Sequence, residues 1–203
     1  MNELTDLEED ALIEIFNIGM GRSAAVLNQI GNEEIAIDIP KLHLVRTEEA
    51  ITKLLQQRLE PVSAVKQSFA GDFSGQAMLL FNQKDGLKLV RRLLADSVPL
   101  ESLSELEQDS PSEIGNIILN ACFGTVINFL NADIEIQMPV FRQGRISDIY
   151  DQDGENDWSL YLEVRFSLPS ESIERSVALV MGVRSLEIFK GAVTNFVNQI
   201  TAA

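Results

Sequence analysis

The sequence predicts an α+β fold: a two-layer, pseudo-twofold duplicated unit sharing one antiparallel sheet. Three observations predict it. Compared with itself, the chain aligns without a gap at four separate segments when shifted by 99 residues, so that Asp10 meets Asp109. Within each copy, helical periodicity, strand alternation and a hairpin signal follow in the order helix, strand, helix or loop, strand, strand, helix. The 203 residues, 45% apolar and 23% charged, suit one globular domain of two repeats, about 1–100 and 101–203.

The repeat is specific in its residues. Asp10, Glu14, Ile15, Asn17 and Ile18 fall on Asp109, Glu113, Ile114, Asn116 and Ile117. The segment 34–40 falls on 133–139, ending at Pro40 and Pro139. Segment 77–81 falls on 176–180, and Leu87, Val90 and Leu94 fall on Leu186, Phe189 and Val193.

Each element has a local cause. Leu7, Ala11, Leu12, Ile15, Ile18, Ala25 and Val26 recur at helical spacing over 6–30. Thr5 and Glu8 form a capping box at its start. Ile35, Ile37 and Ile39 alternate with polar residues as a half-buried strand that Pro40 is expected to end, with a second short strand at 42–45. Residues 47–58 read as a helix. Strands at 61–69 and 73–82 are joined by Gly71-Asp72, and a helix follows at 84–95. The second copy predicts a helix near 110–131, a strand at 133–138, strands near 158–168 and 173–181, and a helix at 184–200. An acidic loop, 144–157, replaces its middle helix.

The net charge of −15 excludes an electrostatic footprint for nucleic acid and opposes an anionic membrane surface. Residues 101–203 carry −10 of it and residues 1–100 carry −5. No run of 18 apolar residues and no signal-peptide pattern is present, so a cytoplasmic protein is expected. One cysteine, Cys122, precludes an intrachain disulfide, and one histidine, His43, leaves zinc sets and Ser-His or Cys-His catalysis without their parts. Carboxylates, amides and backbone are left to carry the function.

The polar positions shared by both copies are the candidates. Asp10, Glu14 and Asn17 are spaced four and three apart, which places them on one helical stripe away from Leu12, Ile15 and Ile18. Asp109, Glu113 and Asn116 repeat the stripe, and Asn120 extends it by a turn. A structural role competes at Glu113, which with Ser110 and Pro111 reads as a capping box at a helix start. Capping does not explain Glu14, well inside its helix. Nor does it explain Asn17 and Asn116, since asparagine is a poor mid-helix residue.

The pattern Asp-x3-Glu-x2-Asn, followed after 22 residues by Pro, therefore occurs twice. It resembles the CheC/CheX/FliY family of chemotaxis phosphatases, and two copies in about 200 residues resemble its CheC branch most. The flagellar branch carries an added C-terminal domain, which is not expected here. The resemblance implies hydrolysis of the phospho-aspartate of a CheY-like response-regulator receiver domain. It implies that Glu14 and Glu113 contact the receiver's lysine and that Asn17 and Asn116 orient the attacking water. Asp10 and Asp109 match the motif's outer position, while Pro40 and Pro139 match its proline as strand-ending supports. It implies no cofactor or metal in this chain, the Mg2+ belonging to the receiver. It suggests a CheD-like deamidase as a further partner, with no residue to name for the contact, and a non-catalytic adaptor as the alternative. Pro111 is expected to start the second helix late and to put Glu113 near its N-terminus.

Other signals are weaker. Gly19-Met20-Gly21-Arg22-Ser23-Ala24 imitates a dinucleotide fingerprint but lies inside a predicted helix, where small residues allow close approach of a neighbour. The run 151–157 falls short of a calcium loop, with Asn156 and Leu162 at the positions that need Gly and Glu. His43, Cys122, Trp158 and Tyr161 read as structural residues.

Overall fold

The computed structural model describes residues 4–30, 34–56, 61–82, 103–149, 158–167, 172–183 and 186–202. The helix predicted at 84–95 and residues 150–157 of the acidic loop lie outside them, as do the side chains of Pro40 and Asp109. The elements are α1 (Asp6–Ile30), β1 (Ala36–Arg46), α2 (Thr47–Gln56), β2 (Val62–Gly71), β3 (Gly75–Asn82), α3 (Leu103–Leu130), β4 (Ile134–Ile136), β5 (Val140–Gly144), α4 (Ile146–Ile149), β6 (Trp158–Ser167), β7 (Ser172–Val183) and α5 (Leu186–Thr201). The α+β class is as predicted.

All the strands join one antiparallel sheet in the order β1-β6-β7-β3-β2-β4, with β5 beside β4 on the same edge of β2. The order reads alike from both edges if β1 is matched with β4 and β5, β6 with β2, and β7 with β3. Each edge strand pairs with a strand from the other half of the chain, as in Ala36↔Ser167 and Val62↔Gly144.

Helices α1, α3 and α5 cover one face of the sheet. Their core joins Leu12, Ile15 and Met20 to Leu42, Leu79, Ile118, Leu162 and Phe189, all essentially inaccessible. A smaller cluster on the other face gathers Ala50, Leu54, Ile146, Ile149 and Tyr161 beneath α2 and α4. The stretch Glu113–Leu130 has the length and composition to cross a membrane. Here it is the central core helix, with Ile118, Cys122, Phe123 and Val126 buried.

The capping box at α1 forms as predicted. The Thr5 backbone N–H donates to Glu8 Oε2 at 2.9 Å, and the Glu8 N–H donates to Thr5 Oγ1 at 3.3 Å. Glu8 also accepts from the Thr194 hydroxyl, which ties α5 to the start of α1.

Four local expectations are corrected. Pro40 does not end a strand: β1 runs on to Arg46, with a register shift between Asp38 and Lys41. As an edge strand β1 tolerates a residue without an N–H at an irregularity. Pro139 does fall in a break, between β4 and β5. Helix α3 starts at Leu103, so Pro111 lies within it and removes one rung of its ladder. Glu113 is therefore interior, and its role at a helix start is lost. Lastly, the segment read as a loop from 144 keeps one helical turn, α4. Its Asp148 and Ile149 N–H groups donate to the Arg145 carbonyl, and Ile146 and Ile149 anchor it by burial.

Candidate functional site

Helices α1 and α3 pack against each other because small residues let them. A Cβ added at Gly19 would lie 2.9 Å from the Cα of Cys122, and one at Gly115 would lie 2.3 Å from Val65 Cγ2 on β2. Both glycines sit within three residues of a candidate asparagine, so the stripes ride on closely seated backbone. Arg22 donates to Thr125 Oγ1 at 3.1 Å across the same crossing.

Asp10, Glu14 and Glu113 are exposed, and Asn17 and Asn116 are half-buried. Glu14 and Glu113 have no ion pair or hydrogen bond among the described residues, which leaves both carboxylates available to an external cation. Pro139 is half-buried, two residues beyond Gln137.

The two asparagines differ in what they touch. Asn17 turns its amide onto β1: Ile39 N–H donates to Oδ1 at 2.6 Å, and Nδ2 donates to the Ile39 carbonyl at 3.2 Å. Both functions of the amide thus replace a strand partner next to Pro40. Asn116 has no such strand bond. Its Oδ1 accepts from Asn120 Nδ2 at 2.7 Å, and its own Nδ2 has no partner among the described residues.

Sequence reading missed Gln67 on β2, which is 2% exposed among Val65, Phe69 and other core residues. Its Nε2 donates to Asn120 Oδ1 and to the Gln137 carbonyl, both at 3.0 Å. Its Oε1 is buried without a hydrogen-bond partner among the described residues, which costs about 1–3 kcal/mol. A polar residue at a core-facing position of an alternating strand is the signal that could have found it.

The remaining residues behave as structural groups. Burial pushes the Cys122 thiol up to about 12, so it is no nucleophile at neutral pH. Burial also raises the Tyr161 phenol to about 12. The His43 ring is half-buried, 4.0 Å from Glu9 Oε1, and the Arg46 guanidinium stacks 4.3 Å over Trp158. No cluster of three or more His, Cys, Asp or Glu able to hold a metal occurs among the described residues. One open pocket lies under Phe129 and Phe196 and another beside His43 and Glu49; neither includes the stripes. An exposed helical stripe outside a cleft suits a protein surface better than a small ligand.

In sequence the chain is similar to two curated proteins of the CheC/CheX/FliY family. The flagellar motor switch phosphatase FliY of Bacillus subtilis is 23% identical over 208 residues, covering 100% of this chain and 52% of that protein. The CheY-P phosphatase CheC of the same organism is 26% identical over 120 residues, 58% of this chain and 57% of that protein. The chain thus spans about half the length of the curated relatives it matches.

Solved structures share the fold. Thermotoga maritima FliY superposes with TM-score 0.68 at 18% identity, covering 97% of this chain and 98% of that one. FliM in the Helicobacter pylori FliG-FliM complex does so with 0.68 at 11%, covering 93% and 100%. The CheX-CheY-BeF3-Mg+2 complex from Borrelia burgdorferi matches with 0.52 at 20%, covering 85% and 97%. No protein-family model matches the chain.

Proposed function

We propose that this chain is a cytoplasmic phosphatase, built of two repeats, that hydrolyses the phospho-aspartate of a CheY-like receiver domain. The observation that carries the reading is the second stripe: an exposed Glu113 carboxylate, without an ion pair or hydrogen bond among the described residues, stands one turn from an Asn116 amide whose N–H2 has no partner among them. That pair matches what a loose phosphoryl-transfer transition state asks of a partner, which is positioning and charge stabilisation.

In this reading the receiver brings the phosphoryl group, its Mg2+ and a lysine. Glu113 accepts the lysine's N–H and fixes the angle of approach. Asn116 holds a water in line with the acyl phosphate, since an amide can both donate and accept. The water oxygen bonds to phosphorus as the bond to the aspartate oxygen breaks. The carboxylate leaves, and the water's protons pass to phosphate and solvent. No base in this chain is needed. A stimulation of about 10²-fold asks for about 2.7 kcal/mol. Glu14 and Asn17 occupy the corresponding positions on α1, the weaker of the two sites because the Asn17 amide is bonded to Ile39, with Asp10 and Asp109 as outer contacts.

The test is release of phosphate from a phosphorylated receiver with Mg2+. The Asn17→Ala/Asn116→Ala chain is expected to lose the stimulation; a double variant as fast as the parent would sink the reading. A second reading, a non-catalytic adaptor, is favoured at the first stripe, where the Asn17 amide both donates to and accepts from Ile39. The FliM structures of the same fold support it, one of them solved with FliG. Stable receiver binding with unchanged phosphate lifetime would decide for it. A CheD-like deamidase remains a proposed partner.

A further inference from the structure

We propose that Gln67 and Asn120 are positioning residues for Asn116. Resting on the phosphatase reading above, they would set which end of its amide faces a docked receiver. The three amides form one chain of hydrogen bonds with a fixed polarity. At its buried end stands a backbone carbonyl, Gln137 O, which can only accept. Gln67 must therefore point Nε2 toward it, and the same Nε2 then meets Asn120 through Oδ1 at 3.0 Å. With its oxygen so committed, Asn120 presents Nδ2 to Asn116, which must answer with Oδ1 at 2.7 Å. Asn116 is left with its N–H2 and one oxygen lone pair directed away from the relay. That is the set needed to donate to a phosphoryl oxygen and to accept from a water.

The relay crosses the two halves of the chain. Gln67 is buried on β2, whereas Asn116 and Asn120 lie on α3. The first stripe has no equivalent. The position matching Asn120 is Gly21, which has no side chain to offer, and Asn17 is turned instead onto Ile39.

The experiment uses the full chain carrying Asn17→Ala, so that turnover of a phosphorylated receiver reports the second stripe. Gln67→Leu and Asn120→Asp are each expected to lower kcat roughly 10-fold, in line with the sensitivity of a reaction to small misplacement, with KM for the receiver unchanged. Asn120→Asp keeps the acceptor that Gln67 needs and replaces the donor to Asn116 with a carboxylate oxygen. In a double-mutant cycle the losses from Gln67→Leu and Asn116→Ala are expected not to multiply. Multiplying losses, a change in KM alone, or no loss would overturn the assignment. A second readout is independent of turnover: nuclear magnetic relaxation of the Asn116 side-chain amide in the unsubstituted chain and in Asn120→Ala. The amide is expected to pass from ordered to mobile, and an equally ordered amide overturns the relay. If the unsubstituted chain releases no phosphate, the phosphatase reading fails on its own, and the relaxation result alone decides the relay.

Discussion

The same Asp-x3-Glu-x2-Asn spelling is used in two ways on the two central helices. On α1 the asparagine repairs a strand: Asn17 supplies an acceptor and a donor to Ile39 where β1 is irregular. On α3 the strand is broken at Pro139, and Asn116 bonds Asn120 on its own helix instead of a strand. That substitution releases Asn116 from structural duty. A motif fixes the face of a helix, but the strand across from it decides whether the amide is a fastener or a free functional group.

The largest effect should separate the two asparagines in turnover. Asn116→Ala is expected to cut phosphate release from a phosphorylated CheY-like receiver by about 10²-fold, or 2.7 kcal/mol. Asn17→Ala should cost far less, and equal losses would break the comparison. Thermal unfolding should show the reverse order. Asn17→Ala strips Ile39 of two partners and is expected to cost about 1–3 kcal/mol, lowering Tm by about 2–4 °C for each. Asn116→Ala should stay within about 0.5 kcal/mol, as a half-exposed side chain with one bond to a neighbour.

Next comes the seating of the second stripe. Gly115→Ala drives a methyl into Val65 and is expected to destabilise by about 1–3 kcal/mol, partly restored by adding Val65→Ala. Chemical denaturation of the three variants measures it.

The smallest effect concerns the start of α1. Burial raises the Glu8 carboxyl, but hydrogen bonds from Thr194 and Thr5 and the charge of Lys190 outweigh it and hold the group below its ordinary 4.5. A depressed value in the folded state gives stability that is present above the unfolded value and fades as pH falls through the folded one. Unfolding measured below pH 4.5 should therefore lose this contribution. Thr194→Val should blunt that acid dependence at a cost of about 1 kcal/mol.

Much of the architecture was legible because it is local. The capping box at Thr5 and Glu8, the alternation through Ile35–Ile39 and the helical spacing of α1 each involve neighbours in sequence. The exposed stripes followed from the same periodicity. Three things were not legible, and each depends on a distant partner. Pro40 reads as a stop unless the edge position of β1 beside β6 is known. Pro111 reads as a helix start unless the backbone from Leu103 is seen to be helical already. The relay reaches Asn120 and Asn116 from Gln67, on another element, and no spacing rule connects them.

The edge pairing has a consequence for how the chain comes together. Among the described strands β1, next to α1, pairs with β6 alone, so that Ala36 waits for Ser167. Until then the first-made strand has no ladder, while β2 and β3 already have the hairpin register that begins at Phe69↔Gly75. Closing loops of that length is entropically slow, so assembly should begin at the central hairpin and reach the outer strands late. Helix α1, made before the strand that closes its sheet, is thus locked into place among the last.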